Sequence, residues 1–263
     1  MLRVTSRSNA RLKEIARLVA SSRDRRKAGK CVLEGEHLVG AYAQRHGAPE
    51  TLLVTETFAR RESARVIVER FDPIAIVVPD AVLEDIGGLP AGVGMLAVVS
   101  TPGAGDRIEG DFVLLLEDVQ DPGNVGSMLR SAAAAGCSDA LLSPHCAFAW
   151  SPKVLRAGMG AHFQLAIHEG QDVPAWSRAF VSRGGQVVAM DGDAETSLYR
   201  AKLVRPLAIA IGNEGSGLSQ AMRDAATARV SIPMASGVES LNAAAAAAVV
   251  LFECVRRGVS DAG

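Results

Sequence analysis

The feature that most constrains this chain is a repeated alternation of short apolar runs with helical segments. From residue 111 onward the runs are FVLLLED, DALLSP, FQLAIH, QVVAMDG, LAIAIG and ARVSIPM. Runs this continuous suit strands buried on both faces. Their alternation with helices predicts a mostly parallel sheet covered on both sides. The last element, ESLNAAAAAAVVLFECVRRG, reads as a helix: Ser240 can cap it, Arg256 and Arg257 fall in its last turn, and Gly258 can end it.

The first hundred residues carry a smaller alternation. SNARLKEIARLVA places Leu12, Ile15, Ala16, Leu18 and Val19 at helical spacing, with Ser8 or Asn9 as the cap. A basic loop is expected next. KCVLEGEHLVGAYAQRHG then reads as a strand, a turn at Gly35 and a helix, and ETLLVTE, IAIVVPD and GMLAVVS read as further strands. TPGAGDRIEG is rich in Gly, Pro and charge, as linkers are. The expected division is a small α/β domain over 1–100, a linker over 101–110 and a second domain over 111–263.

Only 4% of residues are aromatic, so Ala, Val, Leu and Ile must fill the core. The net charge of -1 decides nothing about nucleic acid, but its distribution does more. Arg3, Arg7, Arg11, Lys13, Arg17, Arg23, Arg25, Arg26, Lys27 and Lys30 face only Glu14 and Asp24 across the first thirty residues. Such a run is either a solvated helix face or a phosphate-contacting patch. Cys31, Cys137, Cys146 and Cys254 are scattered without zinc spacing, which suggests reduced thiols in a cytoplasmic protein. The stretch AAAAAAVVLF is too short to span a bilayer. His37 stands near Glu34 and Glu36, but a lone histidine there reads as structural, and no metal site is expected.

In open α/β sheets ligands bind beyond the C-terminal ends of strands. Three such ends here combine glycines with amides, hydroxyls or carboxylates: DPGNVGSMLR at 121–130, IGNEGSGLS at 211–219 and IPMASGVESLN at 232–242. None is a dinucleotide fingerprint or a phosphate loop. Glycines in these loops allow close backbone approach to a flat ligand. Each loop alone is a turn; three in one domain point to a site.

These loops resemble, in order, the signature motifs of the SpoU/TrmH family of S-adenosylmethionine-dependent RNA ribose 2′-O-methyltransferases, within the SPOUT superfamily. The matching residues are Asp121, Pro122, Asn124, Gly126 and Arg130; then Gly212, Glu214, Gly217 and Leu218; then Ile232, Pro233 and Met234 with Glu239, Ser240, Leu241 and Asn242. VLEGEHLV and SNARLKEI are similar to the family's small substrate-binding domain, so the likeness touches nearly the full length. The resemblance implies a trefoil-knotted parallel-sheet methyltransferase domain preceded by a small α/β RNA substrate-binding domain. It also implies a homodimer, a cofactor of S-adenosylmethionine and a structured RNA substrate, ribosomal RNA before tRNA because tRNA-specific relatives often lack the extra domain.

Carried over by motif, the expected catalytic residues are Asn124, Arg130, Glu214, Ser240 and Asn242. The expected cofactor residues are Gly212, Asn213, Glu214, Gly217, Ile232, Met234, Ser240 and Leu241. The expected RNA contacts are Arg7, Asn9, Lys13, Arg25, Arg26, Glu34, Gly35, His37, Lys153 and Arg156. Arg130 lies one to two helical turns past Asn124, which would let both face one cleft. The proton acceptor is either Arg130, as proposed for the family, or Glu214, a more conventional base. Asn124 and Ser240 have alternative readings as helix caps. A tRNA methyltransferase, or a non-catalytic RNA-binding relative, stays open on sequence alone.

Overall fold

A computed structural model of the chain describes residues 2–6, 8–86, 92–105, 108 and 110–258. In chain order the elements begin with β1 (Leu2–Arg3), α1 (Ala10–Ala20), α2 (Ser22–Ala28), β2 (Lys30–Glu34), α3 (Gly35–His46) and β3 (Thr51–Thr55). Then come α4 (Glu56–Ala59), α5 (Glu62–Arg70), β4 (Ala75–Val78), α6 (Asp80–Glu84) and β5 (Met95–Ser100). The second half holds β6 (Phe112–Leu116), α7 (Pro122–Ala134), β7 (Asp139–Leu142), α8 (Pro152–Gly158), β8 (Ala166–His168) and α9 (Val173–Ser182). It ends with β9 (Gln186–Met190), β10 (Leu207–Ile211), α10 (Gln220–Ala225), β11 (Ala228–Val230) and α11 (Ala243–Arg256).

Two compact units result. One comprises the residues up to Pro102 together with Trp150–Phe163, and the other Gly103–Ala149 together with Gln164 onward. Residues 150–163 lie beyond the linker in sequence, yet they pack within the first unit: Arg156 of α8 ion-pairs with the buried Glu34 at the end of β2.

The first unit is built on a sheet ordered β1-β4-β3-β5-β2. It is mixed: β4 runs parallel to β1 and β3, while β5 runs antiparallel to β3 and β2. Helix α1 buries Leu12, Ile15, Leu18 and Val19 against Val32, Leu53, Ile76 and Leu96 of that sheet. Asn9 is the cap, its Oδ1 accepting from Arg11 N at 2.9 Å. The basic stretch after α1 is a helix, not a loop. Ser21 caps α2, and Gly29 ends it in the left-handed conformation at φ 61°. That helix turns Arg25 inward, where its Nη1 donates to Leu18 O (2.5 Å) and Val19 O (2.9 Å), carbonyls that α1 leaves open at its C-terminus.

The second unit carries a six-stranded, wholly parallel sheet ordered β11-β9-β10-β6-β7-β8. Every residue of β6 and β10, its central pair, is buried, as a sheet covered on both faces requires. Helices α7 and α11 pack together, and α9 with α10 contributes Val173, Phe180 and Met222 to a core with Val113, Ala208 and Val187. The cap of α11 is Asn242, whose Oδ1 accepts from Ala244 N and Ala245 N at 2.9 and 3.2 Å. Ser240 therefore lies before the helix rather than at its start. All four cysteines are unpaired, and Cys31, Cys137 and Cys254 are buried. No helix among the described residues is long and apolar enough to cross a membrane.

Candidate active site

The site forms where β6, β9, β10 and β11 end. Helix α7 begins with Asp121, whose Oδ1 accepts from Asn124 N at 2.8 Å, followed by Pro122 in the first helical turn. Asp121 is thus the cap, and the amide side chain of Asn124 is left for other partners. Its Nδ2 donates to Glu214 Oε1 at 3.0 Å, and its Oδ1 accepts from Asn242 Nδ2 at 3.0 Å. One amide therefore links all three glycine-rich loops.

Glu214 is held by more than Asn124. Gln120 N donates to its Oε2 (3.2 Å) and Asp121 N to its Oε1 (3.1 Å). Burial pushes this carboxyl up, but the hydrogen bonds from Asn124 and the neighbouring backbone N–H groups outweigh it and hold the group below the ordinary glutamate value. A carboxylate with both oxygens engaged and a lowered pKa is a poor proton acceptor. The geometry makes Glu214 an anchor for Asn124.

Loop 211–219 has its own closure. Asn213 and Gly217 exchange backbone hydrogen bonds of 3.1 and 3.0 Å, and Asn213 Oδ1 accepts from Gly215 N and Ser216 N at 2.9 and 3.0 Å. Asn213 Nδ2 donates to Asp118 O at 2.8 Å, tying this loop to the end of β6. A Cβ on Gly212 would come within 2.3 Å of the Gly217 carbonyl carbon, so only glycine fits. Beneath the loop the buried Glu117 carboxylate accepts from Ser219 N and Ser219 Oγ, both at 2.7 Å.

Beside these loops opens a cavity of about 210 Å³. Its walls include Ile211, Val230, Ile232, Met234 and Leu241, and its charged lining residues are Asp191, Glu214 and Glu239. Gly212, Asn213, Glu214, Gly217, Ile232, Met234, Ser240 and Leu241, the set expected to bind cofactor, all line it. Met190, Asp191 and Gly192 at the end of β9 line it too. The sequence reading passed over them, although QVVAMDG already placed an acidic residue and a glycine at a strand end.

Arg130 departs from expectation. Six helical residues carry it about 9 Å along α7 from Asn124 and roughly 120° around the axis. It is exposed, does not line the cavity and bonds to none of Asn124, Glu214 or Asn242. The expected RNA contacts divide similarly. Lys13, Arg26 and Lys153 are exposed, and Gly35 opens α3 at φ 83°. His37 is exposed with its Nε2 3.3 Å from Met159 O. Asn9 is used as a cap. Arg25 and Glu34, by contrast, are buried and not on the surface where RNA would meet them: Arg25 sits on carbonyls of α1 and Glu34 on Arg156, which spends that arginine's charge inside the first unit. Arg7 lies outside the described residues. Among the described residues no group of three or more His, Cys, Asp or Glu could hold a metal ion.

Residues 111–252 match the SpoU rRNA Methylase family, and residues 9–97 match the MRM3-like substrate binding domain. The chain belongs to the SpoU rRNA methylase family. Similar members include the 23S rRNA (uridine(2479)-2′-O)-methyltransferase of Streptomyces viridochromogenes, 33% identical over 98% of this chain and 93% of that one. An uncharacterised tRNA/rRNA methyltransferase of Synechocystis is 32% identical over 97% of this chain and 93% of its own length. Among solved structures, the SpoU methyltransferase AviRb from Streptomyces viridochromogenes in complex with AdoMet superposes with a TM-score of 0.84 at 29% identity, covering 96% of this chain and 99% of that one. The matched span 111–252 contains all three loops that Asn124 links here.

Proposed function

We propose that this chain is an S-adenosylmethionine-dependent RNA methyltransferase that modifies a ribose 2′-hydroxyl, with ribosomal RNA as its substrate. The observation that carries the reading is the Asn242–Asn124–Glu214 chain of hydrogen bonds at the rim of a cavity lined by the SpoU motifs. S-adenosylmethionine, when bound, supplies the methyl group. The cavity fits it: apolar walls suit an adenine, and the charged side chains lining the cavity are all carboxylates, which suit a ligand with cationic sulfonium and ammonium centres.

The protein's own work is positioning and the handling of one proton. Asn124 is fixed to present an amide beside the cavity, with Glu214 and Asn242 as its orienting partners. Arg130, exposed on α7, is free to meet an RNA phosphate or to serve the cavity of a second copy in a homodimer. The trefoil knot of the family belongs to the same reading. The basic faces of α1 and α2, with Lys13 and Arg26, suit the RNA backbone. A cytoplasmic setting accords with four unpaired thiols.

The test is a map of 2′-O-methyl positions in total RNA from cells with and without the protein, paired with transfer of labelled methyl from S-adenosylmethionine by purified protein. Loss of one ribosomal position supports the reading. A change confined to tRNA moves the substrate, and no change together with no transfer overturns it.

A further inference from the structure

Asp191 stands where β9 ends and lines the cavity, yet it lies outside the three glycine-rich loops. Its side chain is only 6% exposed. Arg223 Nε and Arg229 Nη1 lie 3.2 and 3.5 Å from its Oδ2, and Asp193 N donates to its Oδ1 at 3.1 Å. Its own N–H donates to Val230 O at 3.0 Å, which fixes the backbone against β11. The register pairs Ala189 of β9 with Ala210 of β10, so Asp191 and Gly212 leave the sheet at the same level. Next to it, a Cβ on Gly192 would meet nothing within 4 Å, so the strand end opens onto free space.

A carboxylate offers about four acceptor positions, two on each oxygen; these contacts take both on Oδ2 and one on Oδ1, which leaves one open on Oδ1. Two guanidiniums already balance its charge. A cationic sulfonium or ammonium is therefore better served by Glu214 or Glu239, neither of which meets a guanidinium among the described residues. What suits Asp191 is a neutral donor. In open parallel sheets an acidic side chain beside the nucleotide crevice accepts from ribose hydroxyls.

We propose that Asp191, through Oδ1, accepts a hydrogen bond from a ribose hydroxyl of the cofactor's adenosyl group, with Arg223 and Arg229 as positioning residues that hold its carboxylate in place by Oδ2. The proposal rests on the reading of this cavity as the S-adenosylmethionine site. It makes Asp191 a specificity residue: it would select an intact ribose and take no part in methyl transfer.

Calorimetry on the full chain tests it with S-adenosylhomocysteine and its 2′-deoxyadenosyl and 3′-deoxyadenosyl counterparts, against wild type and Asp191→Asn. Wild type is expected to bind at least one deoxy ligand about ten-fold more weakly than the parent. In Asp191→Asn the parent should weaken by a similar factor and the deoxy penalty should shrink or vanish, which a merely structural aspartate would not produce. Should Asp191→Asn fail to fold, the wild-type ligand series still decides: equal affinity for all three ligands overturns the proposal. So does a deoxy penalty that survives unchanged in Asp191→Asn. If wild type binds neither S-adenosylhomocysteine nor S-adenosylmethionine, the cavity reading itself falls, a different outcome from either of these.

Discussion

Asn124 Nδ2 donates to Glu214 Oε1 at 3.0 Å, joining residues 90 positions apart. Because Asn124 does not line the cavity and Glu214 does, the bond links the first turn of α7 to the wall of the cavity. Asn124→Ala should lower methyl transfer on the order of 100-fold, the usual effect of a misplaced reacting group. S-adenosylmethionine affinity should stay within a few-fold of wild type. Single-turnover transfer and calorimetry, measured together, check the split.

Gly212 makes the opposite case. Its missing side chain leaves room for the Gly217 carbonyl, which a Cβ would meet at 2.4 Å. Gly212→Ala must push loop 211–219 outward, at a cost of about 1–3 kcal/mol. Both the unfolding midpoint and cofactor affinity should drop, in contrast to Asn124→Ala.

Arg130 is exposed and away from the cavity, so Arg130→Ala should fold and bind cofactor normally while losing turnover. If a second copy receives this guanidinium, mixing inactive Arg130→Ala with inactive Asn124→Ala should restore part of the activity, since mixed dimers contain one intact site. Absence of any recovery in verified mixed dimers would confine Arg130 to its own subunit or to the RNA.

Arg25 is a test of burial against charge. Its Nη1 satisfies two carbonyls at the end of α1. Arg25→Met should cost about 1–3 kcal/mol of stability and leave RNA affinity nearly unchanged. Lys13→Ala should do the reverse, since that side chain is solvated.

Glu253 supplies a pH signature. The Arg256 guanidinium, followed by that of Arg257, holds its carboxyl down to about 2, against an ordinary value of 4.5. The folded state thus favours the ionised form more than the unfolded chain does. Its stabilisation is complete above the ordinary value and is lost as pH falls from 4.5 towards about 2. Thermal unfolding should decline steeply through that window, and less steeply in Glu253→Gln. Arg257 also donates to Leu198 O and Ala201 O, so the loss should loosen the 197–201 turn as well.

Much of this was legible in the sequence, and for physical reasons. Strands β6 and β10 could be read because both faces are buried and every position is apolar. The three loops could be read because glycine, amide and carboxylate recur where strands end. Helix α2 reads as a loop although Ser21 and Gly29 mark its two ends, because SRDRRKA carries no apolar periodicity to announce a helix. The cap of α11 is expected at Ser240 from the sequence and is Asn242 in the structure, because both are good capping residues and only the backbone decides between them. Glu34 with Arg156 could not be read at all, since nothing local announces a pair 122 positions apart.

The order of donors along Asn242, Asn124 and Glu214 also fixes how this site would age. Hydrolysis of the Asn124 side-chain amide would set two carboxyl groups about 3 Å apart and leave Asn242 as the only side-chain donor among the three. Such a pair cannot stay fully ionised without repulsion, so it would trap a proton or spread apart. Spontaneous deamidation at this one position would then produce a protein of almost unchanged mass and altered isoelectric point, with the side-chain link between its three loops weakened.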